Sequence, residues 1–204
     1  MQHSRSVRIG GGIVAAGVVA LGVAAIGASA ATAAHGVASA GQTTVTGTLI
    51  TRPRGTLAPG SAVRANEITG QRVFVDASHG FALASVGQAQ YPATTSNGGR
   101  TWRTDGPALH LNAAQAPLAV TMIGAAGRRT VFAFGSGQVI DTTSDGGQHW
   151  YRALFTGLPM AVVRNAQGHL VAYVDGETGA NGTWQYVSKN GGRTWRVDTT
   201  VGGS

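Results

Sequence analysis

Two different patterns of apolar and polar positions divide the chain. Residues Ile13-Val14-Ala15-Ala16-Gly17-Val18-Val19-Ala20-Leu21-Gly22-Val23-Ala24-Ala25-Ile26 are apolar without a break. A run with no polar face predicts a hydrophobic helix that enters a membrane, not one lying on a protein surface. Beyond about residue 70 the apolar residues come instead in short β-rich or alternating runs. These are Arg72-Val73-Phe74-Val75 with Phe81-Ala82-Leu83-Ala84, Thr130-Val131-Phe132-Ala133-Phe134 with Val139-Ile140, and Leu170-Val171-Ala172-Tyr173-Val174 with Trp184-Gln185-Tyr186-Val187. Runs of this length and composition predict strands. Between the two regions, Ala34 to Gly60 has few large apolar residues and contains Pro53 and Pro59. It reads mostly as a tether, with Thr43 to Ile50 as a candidate short strand.

The predicted strands belong to a repeat. Three segments align without gaps: Thr95-Ser96-Asn97-Gly98-Gly99-Arg100-Thr101-Trp102, Thr143-Ser144-Asp145-Gly146-Gly147-Gln148-His149-Trp150, and Ser188-Lys189-Asn190-Gly191-Gly192-Arg193-Thr194-Trp195. Gly98 and Gly146 are 48 residues apart, Gly146 and Gly191 are 45 apart, and one four-stranded propeller blade takes about 40 to 50 residues. Each unit reads as strand, strand, strand, tight turn, strand. The turn explains its own residue types. Asp145, Asn97 and Asn190 can accept N–H groups that the reversing chain leaves unpaired. The paired glycines Gly98-Gly99, Gly146-Gly147 and Gly191-Gly192 allow positive φ without a Cβ clash. Trp102, Trp150 and Trp195 return on the next strand, where a large ring can pack beneath the turn.

These segments resemble the Asp-box, or bacterial neuraminidase repeat, of sialidases, of propeller-type photosystem II assembly factors and of many exported bacterial proteins. The resemblance covers roughly Val73 to Val197; Asp145 keeps the acid, and Asn97 and Asn190 keep only its carbonyl. It implies an all-β fold, a β-propeller-like stack of three to four four-stranded blades, with the boxes themselves structural. A closed propeller usually needs at least four blades. Three units leave open a half-propeller paired with another chain, a fourth degenerate blade from residues 43 to 70, or an open stack of sheets.

Charge predicts that the chain lies outside the cytoplasm. Arg5 and Arg8 precede the apolar run, no charged residue follows until Arg52, and Ala28-Ser29-Ala30 and Ala31-Thr32-Ala33 both suit signal peptidase. Residues 1–34 are therefore expected to be a signal peptide or membrane anchor, residues 35–60 a flexible linker, and residues 61–204 the repeat domain. Either form of the N-terminal segment puts the repeats outside by the positive-inside bias. The net charge of +7 comes almost wholly from arginine, Lys189 being the only lysine. Such a balance suits nucleic acid in general, but an exported chain would not meet it. Without cysteine there is neither a disulfide nor a thiolate metal site.

Catalytic chemistry finds little support. The resemblance to sialidases implies a tyrosine activated by glutamate, an arginine triad and an acidic proton donor. Only Glu67 and Glu177 are available as glutamates, and Tyr173 with Glu177 is the nearest match. The six histidines show no metal-ligand spacing, and no cofactor is expected. Arg100, Arg103, Arg193 and Arg196 recur at matching offsets around the first and third boxes. Stacked repeats would align them as a basic stripe for an anionic ligand, or as solubilising charge on outer strands. Arg152, near the second box, reads as a surface residue whose loss costs no more than about 0.5 kcal/mol. The loop from Gly176 to Gly182, with Glu177 and Asn181, is the most distinctive connection.

The expected function is a non-catalytic extracytoplasmic binding or scaffolding module, with a divergent sialidase-like glycoside hydrolase as the alternative. The expected partner is an anionic envelope polymer or a protein, not nucleic acid. The membrane is met only through the N-terminal segment, and a homodimer is one way for three units to close.

Overall fold

The computed structural model describes residues 44–111, 120–176 and 182–198, all within the compact unit Val37–Ser204. The predicted N-terminal helix and export signal lie outside the described residues, as do Glu177 and Asn181.

The described chain opens with three very short strands, β1 (Thr44–Thr46), β2 (Thr48–Leu49) and β3 (Ala62–Val63). A single 3-10 turn, Ala65–Glu67, leads into the first meander, β4 (Ile68–Phe74), β5 (Gly80–Val86), β6 (Ala89–Thr95) and β7 (Trp102–Thr104). After the short β8 (His110–Leu111), which pairs with β6, comes the second meander, β9 (Met122–Ala125), β10 (Val131–Phe134), β11 (Val139–Thr143) and β12 (Tyr151–Leu154). The third is β13 (Pro159–Arg164), β14 (Leu170–Asp175), β15 (Thr183–Ser188) and β16 (Thr194–Val197). All pairings are antiparallel, so each meander is a blade, and the whole is an all-β, propeller-like stack of three.

The opening strands add a fifth strand to every blade. β1 pairs with β16, β2 with β12 and β3 with β7, so one segment runs along the outer edges of the third, second and first blades in turn. The linker expected over residues 35–60 is therefore, from Thr44 onward, part of the folded domain, and residues 43–70 do not form a fourth blade. Val45 shows why: its side chain is 2% exposed and joins the core between the second and third blades. At the crossing from β1 to β2, the Gly47 N–H donates to the Arg193 carbonyl at 2.8 Å. A Cβ on Gly47 would come within 3.2 Å of both the Gly192 carbonyl oxygen and the Tyr151 Cβ, so glycine lets the segment pass close to both blades.

Strand periodicity divides the core into layers. On β5, Phe81 and Leu83 face the second blade, where they meet Val131, Ala133, Val139 and Trp150. The intervening Ala82 and Ala84 face the opposite way, among Val63, Tyr91 and Trp102. On β10 the alternate residues Phe132 and Phe134 turn to the third blade, to Leu170, Ala172, Val174, Tyr186 and Trp195. The middle strands β10 and β11 are buried along their whole length. That explains why these runs read as continuous apolar stretches more than as strict alternation. Each large side chain removed from water in these layers contributes about 1.5 to 3 kcal/mol.

Candidate functional site

The three repeated turns are built alike, atom for atom. In the first, the Thr95 hydroxyl donates to Asn97 Oδ1 at 3.0 Å and accepts the Gly99 N–H at 3.0 Å, while Asn97 Oδ1 also accepts the Thr101 N–H at 3.0 Å. In the second, Thr143 donates to Asp145 at 2.9 Å, Gly147 donates to Thr143 at 3.0 Å and His149 to Asp145 at 3.0 Å. In the third, Ser188 donates to Asn190 at 3.0 Å, Gly192 to Ser188 at 2.8 Å and Thr194 to Asn190 at 2.9 Å. The key oxygens are thus spent on closing the turn. Partial burial opposes it, yet the N–H and ring of His149 and the Thr143 hydroxyl hold the Asp145 carboxyl below its ordinary pKa.

The second glycine of each turn also meets the preceding blade, where there is one. Gly99, Gly147 and Gly192 have φ of 82°, 82° and 90°. A Cβ on Gly147 would lie 2.1 Å from the Asp105 carbonyl oxygen, whereas on Gly99 the nearest atom would be a Phe74 ring carbon at 3.4 Å. Gly99→Ala is expected to cost about 1 to 2 kcal/mol for the left-handed backbone alone. Gly147→Ala adds about 1 to 3 kcal/mol of overpacking against a backbone that cannot swing away. Urea melts of the two variants check the ordering; equal costs would show that the blade contact is soft.

The three tryptophans are buried, with Trp150 and Trp195 at 0% exposure and Trp102 at 2%. Their indole N–H groups differ. Trp150 Nε1 donates to the Asp105 carbonyl in the preceding blade at 2.9 Å, and Trp102 Nε1 donates to Gly99 of its own turn at 3.1 Å. Among the described residues Trp195 Nε1 has no acceptor, and the ring instead meets Phe155 edge-on at 5.9 Å.

The four arginines lie on two blades. Arg100 and Arg103 belong to the first blade and Arg193 and Arg196 to the third, with the second blade between them. Arg100 Nε donates to the Asn97 carbonyl at 3.1 Å, and Arg103 donates to the Gly60 carbonyl at 3.0 Å. The Arg193 guanidinium lies 5.0 Å from the Tyr151 ring centroid. Arg196 lines a pocket on the third blade.

Arg152 is not a surface residue of the kind expected. Its Nε and a terminal nitrogen bind Asp141 Oδ1 and Oδ2 at 2.8 and 2.7 Å, and the same nitrogen donates to the Leu109 carbonyl. Asp141 is fully buried, and burial pushes its carboxyl up while the Arg152 fork and the nearby His110 pull it down. The ion pair therefore ties the second blade to the end of the first. Alternation on β12 places Arg152 on the Trp150 side of the sheet, facing inward.

Asp105, which the sequence did not single out, is a second acid, after Asp141, whose pKa is raised. Its Oδ2 is buried without a hydrogen-bond partner among the described residues, and burial pushes its pKa up to about 7. Unfolded, the group has an ordinary pKa near 4. The folded state thus keeps a proton that the unfolded state releases. The stability this gives is complete below about pH 4 and is lost as pH rises towards about 7, by up to about 1.4 kcal/mol per pH unit. Asp76 and Asp145, whose pKa values are lowered, act in the opposite sense and only at more acid pH. Asp105→Asn is expected to flatten the slope between pH 4 and 7. Denaturant midpoints measured across that range in both proteins check it, and parallel curves would remove Asp105 as the titrating group.

Tyr173, on β14, lies on the face of the third blade away from the second and is 37% exposed. Glu177 is outside the described residues, so their pairing is not on view. Among the described residues no three His, Asp or Glu side chains are grouped to hold a metal ion, and no helix is long and apolar enough to cross a membrane.

A concavity that gathers basic groups lies on the third blade. It has a volume of about 620 Å³ and takes its cations from Lys189 and Arg196, with His169 beside them. Asp198 also lines it, holding a contact from the Gln185 amide at 3.4 Å, and Val187 and Val197 contribute apolar surface. Lys189 occupies the second box position, where the other turns carry Ser96 and Ser144. That substitution was the available signal for the site in the sequence.

No protein-family model and no curated protein matches the chain. Among solved structures, one of YCF48 bound to D1 peptide is similar at 20% identity and a TM-score of 0.42, covering 72% of this chain and 46% of that one. The chain thus spans about half the length of that protein.

Proposed function

We propose that the chain is an exported Asp-box repeat protein that acts as a non-catalytic binding or scaffolding module. The observation that supports this best is the internal use of the box side chains. The hydroxyl and the Asp or Asn oxygen of each turn are held by N–H groups of that same turn. They serve as fasteners of the blade, which frees the rims and faces for contact with a partner. The surplus of arginine makes an anionic partner the natural one, an envelope polymer or an acidic protein surface.

Export rests on Arg5 and Arg8 before the apolar run and on the small residues Ala28, Ala30, Ala31 and Ala33. N-terminal sequencing of protein recovered from cell-envelope and culture fractions tests it; the mature chain is expected to begin near Ala31 or Ala34, or to remain anchored by the intact segment. The absence of catalysis is tested separately, with purified protein and a fluorogenic sialoside. Turnover that survives replacement of the buffer and rises with enzyme concentration would replace the binding module by a hydrolase.

A further inference from the structure

In the first two blades the box turn is latched to the neighbouring hairpin. The Gly98 N–H donates to the Ser78 carbonyl, in the β4–β5 turn, at 2.8 Å, and the Gly146 N–H donates to the Arg129 carbonyl, in the β9–β10 turn, at 3.0 Å. The third blade has the same two turns without the latch. Among the described residues the Gly191 N–H has no acceptor, and the Gly168 carbonyl, in the β13–β14 turn, accepts Arg164 Nε at 3.4 Å instead. Between the unlatched turns lies the pocket, with Asn165 and His169 from one and Lys189 and Asn190 from the other.

The groups on its walls differ from their counterparts in the other blades. Lys189 replaces Ser96 and Ser144, and Arg196, which follows the box Trp as Arg103 and Tyr151 do, has no carbonyl such as Gly60 to occupy it. Neither the Lys189 nor the Arg196 side chain has a hydrogen-bonded or ion-pair partner among the described residues. Two cations thus line one pocket, and among the described residues that line it Asp198 is the single carboxylate. A guanidinium offers a planar fork and an ammonium a compact charge, the pair best suited to an oxyanion. Val187 and Val197 give the carbon part of a ligand an apolar wall, and the volume falls within the about 300 to 1,000 Å³ usual for small-ligand sites.

We propose that the unlatched end of the third blade binds an oxyanion carried on a small organic group, the chemistry that phosphate esters and carboxylates share. The proposal deepens the binding-module reading by giving it a site. It is tested by calorimetric titration of the full-length protein in neutral detergent at low salt, with glycerol 3-phosphate and glutarate as the probes. Lys189→Ser and Arg196→Tyr install the residues that the other boxes carry, so neither is expected to disturb the fold, and thermal melts of both variants check that. At least one probe is expected to bind, with affinity falling about tenfold or more in each variant, as for loss of a charged hydrogen bond. Arg103→Ser, in the first blade, is expected to leave it unchanged. Preference for one probe assigns the ligand to phosphate or carboxylate. Failure of both probes, or equal loss in Arg103→Ser, would overturn the pocket and leave the module reading standing. Hydrolysis of sialosides would overturn that reading and leave the pocket untouched.

Discussion

Trp150→Ala is expected to lower the free energy of unfolding by about 3 to 5 kcal/mol, the range for truncating a fully buried aromatic ring. The ring is 0% exposed and belongs to the layer between the first and second blades, with Phe81, Leu83, Val131 and Val139. Its N–H holds the Asp105 carbonyl, so the variant also leaves a buried acceptor unpaired. Gly106 shows how little the site can collapse, because a Cβ there would meet Trp150 Nε1 at 2.3 Å. Urea unfolding followed by far-ultraviolet dichroism measures the loss. A cost near 1 kcal/mol would mean that the two blades slide together over the cavity.

The second large effect is at Arg152. Removing it leaves Asp141, wholly buried, without its two N–H donors, and breaking a buried pair from one side costs about 3 to 5 kcal/mol. The arginine side chain is itself 22% exposed, which favours the lower end of that range. Asp141→Leu with Arg152→Met replaces both charges by apolar groups, and such double replacements are often neutral or stabilising. The expected result is therefore a large loss for Arg152→Ala and recovery of most of it in the double variant. A double variant as unstable as the single would show that the bond to the Leu109 carbonyl, not the ion pair, carries the effect.

The parts of this fold that were legible in the sequence are the parts whose chemistry is local. A box turn is closed by hydroxyl, amide and glycine within five residues, so Thr95 to Gly99 announces itself wherever it stands. The middle strands were legible because β10 is apolar throughout and β11 opens on Val139 and Ile140, both strands being buried along their length. Arg152 was misread for want of one step: period-two alternation from Trp150 already turns it inward, towards Asp141, its direct cross-strand partner. Of the opening strands, β1 and β2 fall within the stretch read as one candidate strand, Thr43 to Ile50, but their division, their partners and β3 could not be read. β2 and β3 are two residues long, too short to show a period, and their partners lie far along the chain. The pocket was half legible: Lys189 breaks the box pattern visibly, but the unmade latch beside it is a matter of backbone geometry, which residue types do not disclose.

The fifth strands have a consequence for how the molecule is made. Thr44 pairs with Arg196, 152 positions later, while Ala62 pairs with Arg103, 41 positions later. Contacts of such sequence separation slow folding, since loop closure must precede any gain from them. The earliest part of the domain to be synthesised can find its last partner only when nearly the whole chain has emerged. Until then β1 stands as an unpaired edge, and Val45 has no layer to enter. A chain threaded through a membrane from its N-terminus would carry this segment across first and keep it waiting. The blades can assemble one after another as they arrive, but the seam that binds the third to the second closes last, and a chain halted before β16 would never close it.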